Sequence, residues 1–335
     1  MNIHIRHPIE FEKIIGEQQL NSIDLTRKRM SVQQLLDSRE NDDTLVLRLK
    51  DYIKSFERMT KRMDPTKKLQ KQPTFQWIID SKCVQSSCWK FEAVVPKTVL
   101  SQLYQLKAYE HLQKEDYVTA SKSFEQASKC HVDATATLMA WKWKMPGTNH
   151  YVLQTDWHVS HMHRLQSLKT LCMLSVGLQK DSPVRALYTV AQRAAAEATK
   201  AIIKWPANDT TLQMCEAIRY YLSSHILWEN EDYGASIHRL STWLTNLDVD
   251  TLGFKAIEQE LAKIPFLLRE RQQVNNGAYF DIVQAGSPLP TPQELVMHTG
   301  ANDLPHPKNT RNIQSEPAQG ETRETLPESL PGPTL

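Results

Sequence analysis

Three imidazoles in the run Trp157-His158-Val159-Ser160-His161-Met162-His163 form the densest chemical cluster in the chain. On a helix, His158 and His161 stand three apart on one face, a spacing at which two neutral rings can share a metal ion. A metal-dependent enzyme would use these two with His163, yet no carboxylate or cysteine stands at a companion spacing. The same residues also fit a helix carrying partly exposed histidines. Cys83 and Cys88 are separated by four residues, unlike a zinc knuckle, and no second pair follows, so both read as buried or half-buried thiols. The sequence contains no glycine-rich phosphate loop, nucleophile elbow or His-Glu-x-x-His helix. A non-enzyme is therefore expected, with no cofactor, no metal and no small-molecule substrate. The remaining cluster is electrostatic: Arg58, Lys61, Arg62, Lys67, Lys68 and Lys71 are opposed within their stretch only by Asp64, a local charge of +5. Such a run suits an acidic membrane surface, where each basic residue contributes about 1 kcal/mol, and it equally suits a solvated loop. Over the whole chain 40 basic residues meet 38 acidic ones, a formal charge of +2 that argues against a dedicated nucleic-acid binder.

The elements that must hold these side chains read as helices. Only 10 glycines occur in 335 residues, and glycine mainly serves tight turns and phosphate loops. Leu45, Leu47, Tyr52, Ile53 and Phe56, at three- and four-residue spacing, mark a first long helix over 41–63. Phe91, Val94, Val95, Val99, Leu103, Leu106 and Tyr109 mark another over 88–112, which Pro96, lacking an amide donor, should kink. From Asp116-Tyr117 onward Ala120, Phe124, Ala127 and Cys130 alternate small and large side chains, as paired antiparallel helices do. Residues 141–151 read as a loop, and a helix over 157–179 carries the imidazoles. Ser182 reads as the N-cap and Pro183 as the first residue of a helix over 183–204. Its core stripe is Val184, Leu187, Ala191, Ala194, Ala198 and Ala201. Helices over 208–230, 233–247 and 251–274 complete an all-α, elongated stack. Nine of the 17 prolines follow Ser287. Residues 291–335 accordingly read as a Pro-rich disordered tail behind a helical domain of residues 1–290. No run approaches the roughly 18–20 apolar residues of a membrane span. The opening lacks a signal-peptide core and five cysteines make an incomplete disulfide set, so a reducing cytoplasm is the expected location.

Several fragments, taken in order, carry a resemblance. They are Phe75-Gln76-Trp77, Trp89-Lys90-Phe91-Glu92, the repeat-like segment 116–130, His163-Arg164-Leu165-Gln166-Ser167-Leu168 and Val190-Ala191-Gln192-Arg193-Ala194-Ala195. The most specific is Tyr233-Gly234-Ala235-Ser236-Ile237-His238-Arg239-Leu240, and Asn275 to Phe280 resembles a returning strand. Together they resemble the Bro domain of ALIX, HD-PTP, BROX and rhophilin-like proteins over roughly residues 8–290. The resemblance implies a curved helical stack with a tetratricopeptide-like core and minor extended strands at the ends. Three features depart from the family: a shorter part before the first long helix, Pro96 inside a helix that is normally continuous, and no carboxy-terminal CaaX cysteine, so that prenylation of the BROX type is not expected. The tail is also too short for the coiled-coil domain that follows in ALIX.

What the resemblance implies about function is a non-catalytic adaptor for endosomal sorting or membrane remodelling, recruited to endosomal or other membranes. It would bind the carboxy-terminal amphipathic helix of an ESCRT-III core subunit at Met173, Ala186 and Val190. At 100° per residue, Val190 lies about 80° and Ala186 about 120° from the centre of the core stripe, so both can face a partner, whereas Leu187 faces the core. Met173 also fits core filler. Ala186 offers little apolar area, and Arg193 and Glu197 flank the same face. The alternative is therefore a Bro-like scaffold that has lost ESCRT-III binding and serves another complex, for instance in Rho-type signalling. Tyr279 occupies the position of a kinase-engaging tyrosine in ALIX-like members, and pinning a returning strand is its structural alternative.

Overall fold

The structure, a computed structural model, describes residues 4–5, 9–11, 14, 22–38, 42–62, 74–79, 82–140, 151–206, 210–244, 251–279 and 281–283. The chain divides into two units, Met1–Leu289 and Pro290–Leu335. The second unit, with the expected tail, lies outside the described residues, as does most of the loop expected over 141–151.

Helices dominate the first unit because the apolar spacing is helical almost throughout. They are α1 (Ser22–Ser38), α2 (Asp42–Arg62), α3 (Trp89–Gln113), α4 (Tyr117–Ala140), α5 (Thr155–Gln179), α6 (Val184–Lys204), α7 (Thr210–Glu229), α8 (Tyr233–Leu244), α9 (Lys255–Leu261) and α10 (Ile264–Val274). From α3 to α8 each helix packs on its successor. A small antiparallel sheet, in the order β1 (His4–Ile5), β2 (Phe75–Ile79) and β3 (Lys82–Ser86), sets Ile5 opposite Trp77 and Phe75 opposite Ser86.

Two large cores account for most of the buried apolar side chains among the described residues. The amino-terminal one is aromatic, with Phe11, Phe56, Phe75 and Trp89 packed at centroid distances of 5.4 to 6.5 Å. Beside them Glu92, in the first turn of α3, is enclosed by Arg29 of α1, Tyr52 of α2 and Trp77 of β2. The second core, between α3 and α10, is rich in alanine: Ala120, Ala127, Ala191, Ala194 and Ala198 are wholly buried. Small side chains at a helix contact let the two axes approach closely. Tyr104 of α3 packs against both cores.

Three of the connections share one device. Glu115, Asp181 and Glu231 adopt left-handed backbone with φ of 58°, 50° and 65°. Around them Asp116 N donates to His111 O, Ser182 N to Gly177 O and Asp232 N to Leu227 O. Inner bonds run from Glu115 N to Leu112 O, Asp181 N to Leu178 O and Glu231 N to Trp228 O. These are Schellman turns, which satisfy the last carbonyls of a helix and normally place glycine at the left-handed position. After two of them the next acidic residue caps the following helix: Asp116 Oδ1 accepts from Thr119 N and Asp232 Oδ1 from Ala235 N. A left-handed non-glycine residue costs about 1–2 kcal/mol, partly offset by glycine's greater freedom in the unfolded chain. Asp181→Gly is therefore expected to raise stability by about 0.5–1 kcal/mol, read as a higher urea midpoint with an unchanged slope.

The boundaries differ from expectation where backbone chemistry is specific. The N-cap of α6 is Pro183, with φ −53° and ψ 134°, and not Ser182, whose amide closes the preceding turn. The helix expected over 251–274 is two helices. Leu252 and Gly253 have φ of 53° and 84°, which delays its start to Lys255. Pro265 has no amide to donate to the Leu261 carbonyl, so the ladder stops at Leu261 and restarts at Ile264. Residues 275–279, expected as an extended strand, continue α10 as a π-helical turn. The helix α3 runs through Pro96 without a break.

Candidate functional site

The helices α5 and α6 form an antiparallel pair, and three contacts fix its register. A methyl on Gly177 would come within 2.7 Å of Leu187 Cδ2, so glycine admits the leucine at the turn. Further along, Ser167 Oγ donates to Ala194 O at 2.8 Å, and His163 Nδ1 lies 2.7 Å from Glu197 Oε2. Interpolating between these levels sets Met173 beside Val190, with Ala186 one turn nearer the connection. Met173 is 54% exposed, which removes the core-filler reading. Val190 is half-buried with its inner side against the alanine core, Ala186 is exposed and Leu187 is buried. Partial burial works against the Glu197 carboxylate, but its bonds to Lys200 and His163 hold the carboxyl below its ordinary range. Arg193, also exposed, makes no ion pair among the described residues. The face is thus an apolar strip with a cation beside it.

The three histidines do not converge. His158 is wholly buried rather than partly exposed. Its Nε2 lies 2.8 Å from the Val152 carbonyl and its Nδ1 2.9 Å from Nδ1 of His131 on α4. A carbonyl only accepts, so Nε2 of the neutral His158 ring carries the proton, its Nδ1 accepts, and His131 Nδ1 donates. Burial pushes His158 down to about 4 and His131 well below its ordinary value. His161 is tied to the Trp157 carbonyl and His163 to Glu197. Among the described residues no group of three His, Cys, Asp or Glu side chains is placed to hold a metal. The partner His131 was not legible in the sequence, since it stands 27 residues away on another helix.

Cys88, Cys130, Cys172 and Cys215 are buried, and burial raises the Cys130 thiol to about 12, which removes its thiolate character at neutral pH. The side chain of Cys83 lies outside the described residues. Of the basic run, Arg58 and Lys61 are exposed in the last turns of α2; Lys67, Lys68, Lys71 and the side chain of Arg62 lie outside the described residues. Tyr279 is 46% exposed and stacks on Tyr233 at 3.8 Å and 15°. The Asn275 side chain grips the backbone of Asp281 from both sides. Past it, the chain crosses Gly234 so closely that any Cβ there would overlap the Ile282 carbonyl. Aromatic-Gly at 233–234 is thus a packing requirement.

No protein-family model matches the sequence, and no curated protein matches it. Comparison with solved structures is decisive for the fold. A structure titled as the ALIX BRO1 CHMP4C complex superposes with TM-score 0.62 at 13% identity, over 85% of this chain and 89% of that one. The chain has a Bro1-domain fold. A structure of ALIX in complex with the SIVmac239 PYKEVTEDL late domain gives 0.66 at 13% identity, over 84% of this chain and 45% of the longer ALIX chain. A third, on endosomal targeting by the Bro1 domain, gives 0.58 at 13% over 85% and 86%. The Bro1 resemblance read from the sequence fragments is borne out as a fold. No helix among the described residues is long and apolar enough to cross a membrane.

Proposed function

We propose that the protein is a non-catalytic adaptor of the ESCRT pathway whose α5–α6 face, at Met173, Ala186 and Val190, docks an amphipathic helix from the carboxy terminus of an ESCRT-III core subunit. The observation that carries this reading is the Bro1 fold shared with a chain solved as a complex with CHMP4C. A methionine 54% exposed on that face is consistent with it. Helix-in-groove recognition draws most of its affinity from a few apolar anchors. In this reading Met173 and Val190 are the two anchors of useful size, with Arg193 beside them for an acidic residue of the incoming helix. Titration of the full chain with a fluorescent peptide of such a tail helix is expected to show binding that Val190→Asp weakens on the order of 10- to 100-fold, because a carboxylate is penalised in an apolar contact. Met173→Asp, at an exposed position that leaves the core untouched, should weaken it comparably.

A second reading, a Bro1-fold scaffold without ESCRT-III binding, is favoured by one observation. Ala186 is exposed yet presents only a methyl group. Absence of peptide binding by the wild type would select it.

A further inference from the structure

The outer face of α2 carries cations that no carboxylate among the described residues neutralises. At 100° per residue, the buried side chains Leu45, Leu49, Tyr52, Phe56 and Met59 centre on one line, and Leu47, Lys54, Arg58 and Lys61 lie opposite it within about 60° of arc. All four are exposed. Three acidic residues of the helix pair with lysines of its neighbours, Asp51 with Lys28 of α1, and Asp43 and Glu57 with Lys107 and Lys97 of α3, although the side chains of Asp43 and Asp51 stay largely exposed. Lys50, on the flank, lies over the Tyr104 ring at 5.3 Å. Lys54, Arg58 and Lys61 have no ion pair among the described residues. Each of these three carboxylates is thus matched by a lysine of a neighbouring helix, whereas the line of cations is matched by no carboxylate among the described residues. Leu47, 66% exposed, extends that line by two turns.

We infer that this stripe is a contact surface for an anionic lipid bilayer. Charge complementarity selects an anionic partner. The exposed leucine in line with the cations selects lipid over nucleic acid, because a phosphate backbone gains nothing from an aliphatic side chain, whereas a headgroup layer takes it into the acyl boundary. The contact is independent of the α5–α6 face and stands or falls without it.

Sedimentation of the full chain with phosphatidylcholine vesicles, with and without phosphatidylserine, tests the inference. Each cation near an anionic surface multiplies the partition coefficient roughly fivefold, so the triple variant Lys54→Gln/Arg58→Gln/Lys61→Gln should lose on the order of 100-fold on phosphatidylserine vesicles. Raised salt should give a similar loss in the wild type. Leu47→Ser should weaken lipid binding by a smaller factor. All four positions are exposed, so an unchanged melting curve accompanies each variant. Equal partition of wild type and triple variant overturns the proposal, as does a wild type indifferent to phosphatidylserine. A wild type that ignores these vesicles but binds single-stranded RNA through the same three cations overturns it in favour of a nucleic-acid face.

Discussion

Glu92→Ala is expected to destabilise the fold by about 3–5 kcal/mol, the usual penalty for removing one partner of a buried ion pair. Glu92 Oε1 accepts from Arg29 Nε at 2.8 Å and from the Tyr52 hydroxyl at 2.6 Å, and Oε2 accepts from the Trp77 indole at 2.7 Å. Arg29 and Glu92 are each only 1% exposed. Alanine would leave the guanidinium buried without its carboxylate and take an acceptor from two aromatic donors at once. The pair itself need not be a net gain, since desolvating both charges offsets much of their attraction. The double variant Arg29→Met/Glu92→Leu should accordingly lose less than Glu92→Ala alone. Urea unfolding measures both. A loss under about 1 kcal/mol for the single variant, or a double variant worse than the single one, would show that Glu92 is not the hub of the amino-terminal core.

The second large effect is on pH dependence. His158 titrates at about 4 in the folded chain and near 6.5 once unfolded, so between those values the unfolded state binds more protons. Stability is then complete above about pH 6.5 and falls as the pH drops toward 4, by about 3 kcal/mol from His158 alone. His131, also depressed, and His225, which burial first and then Arg271 hold at about 4, act in the same direction. His158→Gln, which keeps a donor for the Val152 carbonyl and an acceptor for His131, should lose some stability at neutral pH and flatten the profile below it. Unfolding free energies at about pH 7 and pH 5 decide the matter. An unchanged slope in the variant would mean that His158 protonates without opening the cluster.

The helices were legible because apolar spacing is a local signal, and α2, α3, α5 and α7 begin and end within a few residues of their expected limits. What was not legible depends on single backbone conformations or on distance. Left-handed turns filled by Glu115, Asp181 and Glu231 carry no glycine to announce them, although the repeated Glu-Asp-Tyr at 115–117 and 231–233 marked two of them. In the sequence Glu92 stands out only as part of an aromatic fragment, because its partners lie 63, 40 and 15 residues away. At the candidate site the helical angle puts Ala186 and Val190 off the core stripe, where Ala186 is exposed and Val190 half-buried. Met173, long and unbranched, suited core and surface equally, and only packing separates the two.

All three partners of Glu92 precede it in the chain, and this orders events during synthesis. A chain leaving the ribosome amino end first exposes Arg29, Tyr52 and Trp77 before the carboxylate that joins them exists. At 5–20 residues per second, the 63 residues from Arg29 to Glu92 take roughly 3–13 s. Until it ends, Phe11, and then Phe56 and Phe75 as they are made, have no α3 to close over them. The helices from α4 onward each dock on a predecessor already present. The amino-terminal third thus stays without its closing helix until α3 has been made, whereas each later helix meets its packing partner as it emerges.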